Sequence, residues 1–182
     1  MPKPNHLQGE KRWRFLERAK TIRLASLDAD GGVYLSPLWY VVLDKKIYLP
    51  MDAGSRHVTN ARDDKPVYGL VDAGDEYATV HGARIEGRLT DVADPALIES
   101  LTAEVMDKYF YGDTHHPYAQ AYTEFGVFAG RSFSELLPTK MIGWDMREVS
   151  VPAMPEARTF PPGTTDRLLP ESVRGSASAV TA

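Results

Sequence analysis

The stretch from Thr21 to Val71 constrains the fold more than any other. It holds three apolar runs, Thr21–Leu27, Val33–Leu43 and Ile47–Met51, separated by two tight polar breaks, Asp28-Ala-Asp-Gly-Gly32 and Leu43-Asp-Lys-Lys46. Runs of this length joined by so few residues turn back on themselves, which predicts a three-stranded antiparallel meander. The middle run is largely apolar or aromatic on both alternation sets: Val33, Leu35, Pro37, Trp39, Val41 and Leu43 on one side, Tyr34, Ser36, Leu38, Tyr40 and Val42 on the other. A strand buried on both faces needs a cover besides its own core. That cover is a helix, a second subunit or a flat ligand. Pro37 donates no ladder hydrogen bond, so it marks an edge, a bend or a bulge. The carbonyls freed there either face a ligand or simply accompany a bent barrel strand.

After the meander, Asp52-Ala-Gly-Ser55 leads into Arg56-His-Val-Thr-Asn-Ala-Arg62, which predicts a helix opening at Ser55. A cap serine beside a cation at a strand end makes a seat for a phosphate, because the free N–H groups and the dipole of the first turn favour an anion. The same residues also fit an ordinary capped helix with solvated charges. The first alternative makes this junction the functional centre.

The remainder of the chain reads as support. Residues 1–20 form a loose arm and a short amphipathic helix with Trp13, Leu16 and Ala19 at helical spacing. Val67–Asp72 and Tyr77–Asp91 are expected strands, and Gly82 and Gly87 leave room for a close neighbour or a bulge. Asp94 and Pro95 open a helix to Tyr109, and Phe110–Phe125 reads as a loop followed by a short helix. Arg131–Leu137 and Lys140–Asp145 read as a final strand pair turning at Leu137-Pro-Thr-Lys140. Residues 21–148 then make a six-stranded β-barrel with helical decoration, and residues 149–182, rich in proline and small residues, an extended tail.

Several function classes drop out. The net charge of −4 and the lack of a long basic run argue against nucleic acid. No apolar run reaches the roughly 20 residues of a membrane span, and the N-terminus lacks the apolar core of a signal peptide, so a cytoplasmic protein is expected. The absence of cysteine removes thiolate catalysis and Cys-ligated metals. His115 and His116 adjoin in a loop, without the i, i+4 spacing that converges on one ion, and no metal site is expected. No G-x-S-x-G, Rossmann fingerprint or P-loop is present, and neither Ser36 nor Ser55 has a base within sequence reach. Any catalysis therefore falls to a bound organic cofactor, with no catalytic side chain assigned.

One family matches this order of blocks. The SPLWY strand from Ser36 to Tyr40, the Lys-rich hairpin, GSRHVTNARDDKPV, the Gly82 to Gly87 strand and the closing Leu137-Pro-Thr-Lys-Met-Ile-Gly-Trp-Asp145 together resemble the pyridoxamine 5'-phosphate oxidase-like flavoproteins. Their split β-barrel serves FMN enzymes and reductases that use the deazaflavin coenzyme F-420. The resemblance implies a homodimer with two cofactors at the interface, the cofactor being FMN or alternatively the deazaflavin. It places Ser36, Pro37, Leu38, Trp39 and Tyr40 along the ring, Pro50 and Met51 beside the ribityl chain, and Ser55, Arg56 and His57 at the phosphate. Gly82 would approach from the partner subunit, and Trp144 would help close the site.

Departures from the family narrow the expectation. His57 stands where the oxidase proper has lysine, the basic residues expected near Leu35 and Tyr40 are missing, and no Arg-x-His follows Trp144. Vitamin B6 oxidation is therefore not expected. The resemblance implies instead an oxidoreductase that moves hydride between a flavin-type ring and a small organic substrate, chemistry that needs no protein nucleophile. The alternatives are a flavin-binding or sequestering protein without turnover, and a cofactor-free scaffold whose aromatic strand only dimerises.

Overall fold

Strict alternation builds the centre of the sheet. In the computed structural model, which describes residues 7–75 and 79–149, β1 (Ile22–Leu27) buries Ile22, Leu24 and Ser26 and turns Arg23 and Leu27 outward. The Asp28–Gly32 turn, closed by Asp28 N to Gly32 O at 2.8 Å, folds β2 (Val33–Leu38) back against it in the predicted hairpin. β5 (Val67–Ala73) pairs with the other side of β1, followed by β6 (His81–Asp91) and β7 (Ser132–Asp145), all antiparallel. α1 (Gly9–Arg18) closes one end of the core through Leu16, which is fully buried.

The expected meander is corrected at its second step. Val33–Leu43 is two strands, β2 and β3 (Val41–Leu43), separated by Trp39 and Tyr40. β3 pairs with β4 (Lys46–Met51) through a two-residue turn in which Asp44 and Lys45 both have positive φ, the geometry that suits a hairpin twist. The sheet therefore has seven strands, not six, in the order β2-β1-β5-β6-β7-β4-β3. Its two edge strands are consecutive in sequence, and the three Cα steps from Leu38 to Val41 reach at most about 11 Å. The sheet must curl until its edges nearly meet, giving a barrel joined along that seam by the chain rather than by a ladder.

A second correction concerns the last strand. The proline at 138 suggested a turn, yet β7 runs unbroken for 14 residues. The ladder with β6 shifts register between Glu86 and Gly87, which faces Pro138, and Thr139 becomes the extra residue of a bulge. Its Oγ1 donates to Glu86 O at 3.0 Å. Gly87 is needed there, since a Cβ would stand 2.3 Å from Leu137 O. β6 starts at His81 rather than Tyr77, which lies outside the described residues, as does the expected tail beyond Val149.

Two helices pack beside the seam. α3 (Pro95–Phe110) opens as expected, Asp94 Oδ1 accepting from Ala96 N at 3.0 Å with Pro95 in the first turn. α4 (Pro117–Phe128) is the short helix expected after the loop, three residues longer at its C-terminus. α3 delivers Tyr109 to the seam. Its hydroxyl accepts from Tyr40 N at 2.8 Å and lies 2.7 Å from Tyr40 O and 2.8 Å from Lys20 O, one of which takes its proton. Desolvation raises the Tyr109 phenol to about 12, so it stays a donor throughout the working range. The short helices α2 (Arg56–Asn60) and α5 (Met146–Val149) complete the described chain, and no helix among the described residues is long and apolar enough to cross a membrane.

Tyr109→Phe keeps the ring and removes this clamp. It leaves the Tyr40 N–H without a partner and should destabilise the fold by about 1–3 kcal/mol, read as a lowered urea midpoint with an unchanged slope.

Candidate functional site

The split in the barrel is also its main cleft. β3 is only three residues long and pairs with Lys46, Ile47 and Tyr48, so the later residues of β4 have no β3 partner. β2 is an edge strand along its outer side. Between these two unpaired stretches opens a cleft of about 780 Å³, within the size range of small-molecule sites. Ser36, Pro37, Leu38 and Trp39 line it from β2 and the seam, Pro50 and Met51 from β4, and Ser55, Arg56 and His57 from the start of α2. Nine of the twelve residues expected from sequence thus meet in one place.

Aromatic rings build one wall. Trp39 stacks on Tyr109 with centroids 4.2 Å apart and an interplanar angle of 9°, and on Tyr122 of α4 at 5.3 Å. Arg131 sits at the cleft with its guanidinium 4.4 Å over the Tyr122 ring and its Nε donating to Asp52 Oδ1 at 2.7 Å. Tyr122, Asp52 and Arg131 were not foreseen. Tyr34 was missed too, although strand parity puts it on the same face as Ser36. It lies 4.6 Å from the His57 ring and under the Arg56 guanidinium.

The phosphate seat differs from the expectation in three respects. Ser55 is the N-cap of α2, but its hydroxyl turns to Met51 Sδ at 3.7 Å and caps no N–H. Arg56 makes a forked pair with Asp28, Nε to Oδ1 at 2.8 Å and Nη2 to Oδ2 at 2.6 Å. His57 is 2% exposed and uses both ring nitrogens internally, Nδ1 to Ser26 Oγ at 2.9 Å and Nε2 to Ser36 Oγ at 2.7 Å. It therefore shapes the wall and offers no lone N–H to an anion. The helix carries it inward because His57 falls on the face of α2 that packs on β1.

Tyr40, Gly82 and Trp144 lie outside the cleft. Tyr40 is fully buried and donates its hydroxyl to Leu16 O at 2.6 Å, a core role that corrects its placement along a ring. Gly82 and Trp144 face each other across β6 and β7, and a Cβ on Gly82 would stand 2.7 Å from the Trp144 ring. Among the described residues no group of His, Asp and Glu could hold a metal ion.

Burial lowers the His57 pKa below its ordinary value, opposed by the nearby Asp28 carboxylate. Asp28 itself is held below the usual carboxylate range by its hydrogen bond from Asn60 and by Arg56. Because the folded-state pKa of His57 is depressed, acid favours the unfolded chain, which protonates first. The stability from burying a neutral His57 is complete above about pH 6.5. It falls as pH drops through that value toward the folded pKa. His57→Gln should flatten this limb while leaving the loss below about pH 4 that belongs to Asp28, measured by denaturation at a series of pH values.

Comparison with known proteins agrees with this architecture. No curated protein sequence is significantly similar. Among solved structures, the conserved hypothetical protein Rv2991 from Mycobacterium tuberculosis aligns over 91% of this chain and 99% of its own with a TM-score of 0.71 at 24% identity. A FAD-binding protein from Mesorhizobium loti aligns over 76% and 95% (TM-score 0.55, 18% identity). The heme storage protein HutZ from Vibrio cholerae aligns over 74% and 94% (TM-score 0.58, 14% identity). At these identities the likeness is one of fold. Residues 10–130, about two thirds of the chain, match the family model described as pyridoxamine 5'-phosphate oxidase, and the chain belongs to that family.

Proposed function

We propose that this protein is an oxidoreductase that binds FMN, or alternatively the deazaflavin coenzyme F-420, in the Trp39 cleft and exchanges hydride with a small organic substrate. The observation that carries the reading is the convergence of Ser36–Trp39, Pro50, Met51, Ser55 and Arg56 on one cleft of ring-binding size. The donor set fits such a group. The Trp39 stack and the apolar Pro37, Leu38 and Pro50 suit a flat ring, and Arg56 and Arg131 are the cations available to a phosphate. When bound, the ring supplies the hydride chemistry. The protein's part is to orient it, exclude water and hold the substrate close. Pyridoxamine phosphate oxidation fits poorly, because the cleft lacks the extra cations that a second phosphate requires.

A non-catalytic flavin-binding or sequestering role is the second reading. It is favoured by the internal pairing of both guanidiniums, Arg56 with Asp28 and Arg131 with Asp52. Heme fits less well, since His57 spends both nitrogens on serines and leaves no lone pair for iron. The visible spectrum and mass of the molecule released on denaturation decide between flavin, deazaflavin and heme. Steady-state reduction assays then separate an enzyme from a binding protein. Arg56→Ala should weaken FMN binding by about 1.5–3 kcal/mol, the range for hydrogen bonds to charged groups. Arg62→Ala, just beyond the other end of α2, should change it little.

The homodimer belongs to the same reading. Val33 and Leu35 on the outer face of β2 are 67% and 60% exposed, beside the exposed Leu27 and Tyr68. Register places these rows side by side, Leu27 with Val33 and Ala25 between Leu35 and Tyr68. The outward half of the doubly apolar run thus lacks a cover among the described residues, and a partner subunit would supply one. Leu35→Glu should convert a dimer to monomer in light scattering without loss of folded signal. A wild-type monomer at micromolar concentration would remove the dimer from the proposal.

A further inference from the structure

Behind the cleft runs a chain of hydrogen bonds anchored at one end by an obligate acceptor. It begins at the Asp28 carboxylate, which only accepts. Asn60 Nδ2 lies 2.7 Å from Asp28 Oδ1, so the amide presents its NH2 on this side. The same nitrogen is 3.1 Å from Ser26 Oγ, and its second hydrogen goes there. Ser26 is buried and accepts from Asn60, and of its two described side-chain partners His57 Nδ1, 2.9 Å away, is the one able to take its own proton. A neutral imidazole carries one N–H. With Nδ1 accepting, that hydrogen sits on Nε2 and is donated to Ser36 Oγ at 2.7 Å. The Ser36 hydroxyl hydrogen is the one left over, and Ser36 lines the cleft.

We propose that Ser36 is a ligand-selecting hydrogen-bond donor, its proton directed into the cleft by the Asp28–Asn60–Ser26–His57 chain. The bound molecule then presents an acceptor there, a carbonyl oxygen or an sp² ring nitrogen. His57 is a positioning residue that acts through Ser36. A ligand bearing an N–H at that point would set two donors against each other and be rejected, since an unpaired buried donor is costly. The inference rests on the flavin-type reading of the cleft and adds which kind of ring atom faces Ser36. FMN and the deazaflavin both carry carbonyl oxygens, so the donor admits either.

Two measurements test this on the full chain. Ring ¹⁵N–¹H correlation spectra of protein labelled at histidine report the tautomer directly, with His57 assigned by its disappearance in His57→Gln. The expected state at neutral pH has Nε2 protonated and Nδ1 bare. Asn60→Asp, which replaces the donor by an acceptor, should shift His57 toward the Nδ1–H form. Fluorescence titration with FMN and with F-420 forms the second arm. Ser36→Ala should weaken the ligand that binds by about 3- to 10-fold, the span of one neutral hydrogen bond. Ser36→Thr, which keeps the hydroxyl, should recover most of that loss. An Nδ1–H tautomer in the wild type overturns the proposal, as does a Ser36→Ala protein that binds as tightly as wild type. If the wild type binds neither ligand, the flavin reading fails by itself, and the tautomer decides the direction of the chain.

Discussion

The structure depends on how the chain crosses the seam of its own barrel. Trp39 and Tyr40 link the two edge strands of a seven-stranded sheet, where no ladder exists to satisfy the backbone. A polar backbone group left buried and unpaired there would cost about 1–3 kcal/mol. The Tyr109 hydroxyl serves the Tyr40 N–H and one of two carbonyls in its place. Its ring then supports Trp39, and Trp39 walls the cleft. Lys108, one residue before Tyr109, is the cost of bringing α3 so close. Its Nζ lies 4.0 Å over the Tyr40 ring with no hydrogen-bond partner among the described residues. Desolvation and the neighbouring Lys20 lower its pKa to about 8.

The same gap that demands the clamp creates the site. Had β3 been as long as β4, it would have paired with Leu49–Met51 and filled the cleft with backbone. Its three residues stop at Tyr48, because the chain must still leave Trp39 and Tyr40 to span the seam. Loss of ladder is normally a liability at a sheet edge. Here the proline at position 37 removes a donor from one lip, and Pro50 removes another from β4, so neither lip is a ready template for a foreign strand.

Much of this was legible in local pattern, and the misses share a cause. The β1–β2 and β3–β4 hairpins and the Asp94 cap follow from alternation and turn chemistry, whereas the choice of Ser36–Trp39, Pro50 and Met51 comes from the family resemblance. What failed were statements about which strand pairs with which. An apolar run of eleven residues cannot reveal that it changes edge at Trp39, because both halves are equally apolar. Likewise Leu137-Pro-Thr-Lys140 looks the same whether proline turns a hairpin or sits in a bulge opposite Gly87. Arg131 and Tyr122 join the cleft through tertiary packing of α4, and no spacing in the sequence brings them near Asp52. His57 turns both ring nitrogens to Ser26 and Ser36, which no sequence pattern could show, since helix phase decides whether it faces solvent or β1.

Charge placement is what supports proposing a ligand with one phosphate for this cleft rather than the two phosphates of vitamin B6 oxidation. Two phosphate-bearing partners, cofactor and substrate, would bring about four negative charges together at neutral pH. The cleft lines itself with Arg56, Arg131 and Asp52, and Asp28 already neutralises Arg56. One anionic group can share Arg56 and Arg131 with these carboxylates at moderate electrostatic cost, whereas a second would meet no unpaired cation among the cleft residues. On that proposal, discrimination would come from shape and from directed hydrogen bonds: the stacked wall of Trp39 and the proton of Ser36. Such groups lose little entropy on binding because the ring stack and the buried His57 already hold them in place. On the proposed function, a cleft of this kind would select a flat, acceptor-edged ligand with a single phosphate more by preorganisation than by charge.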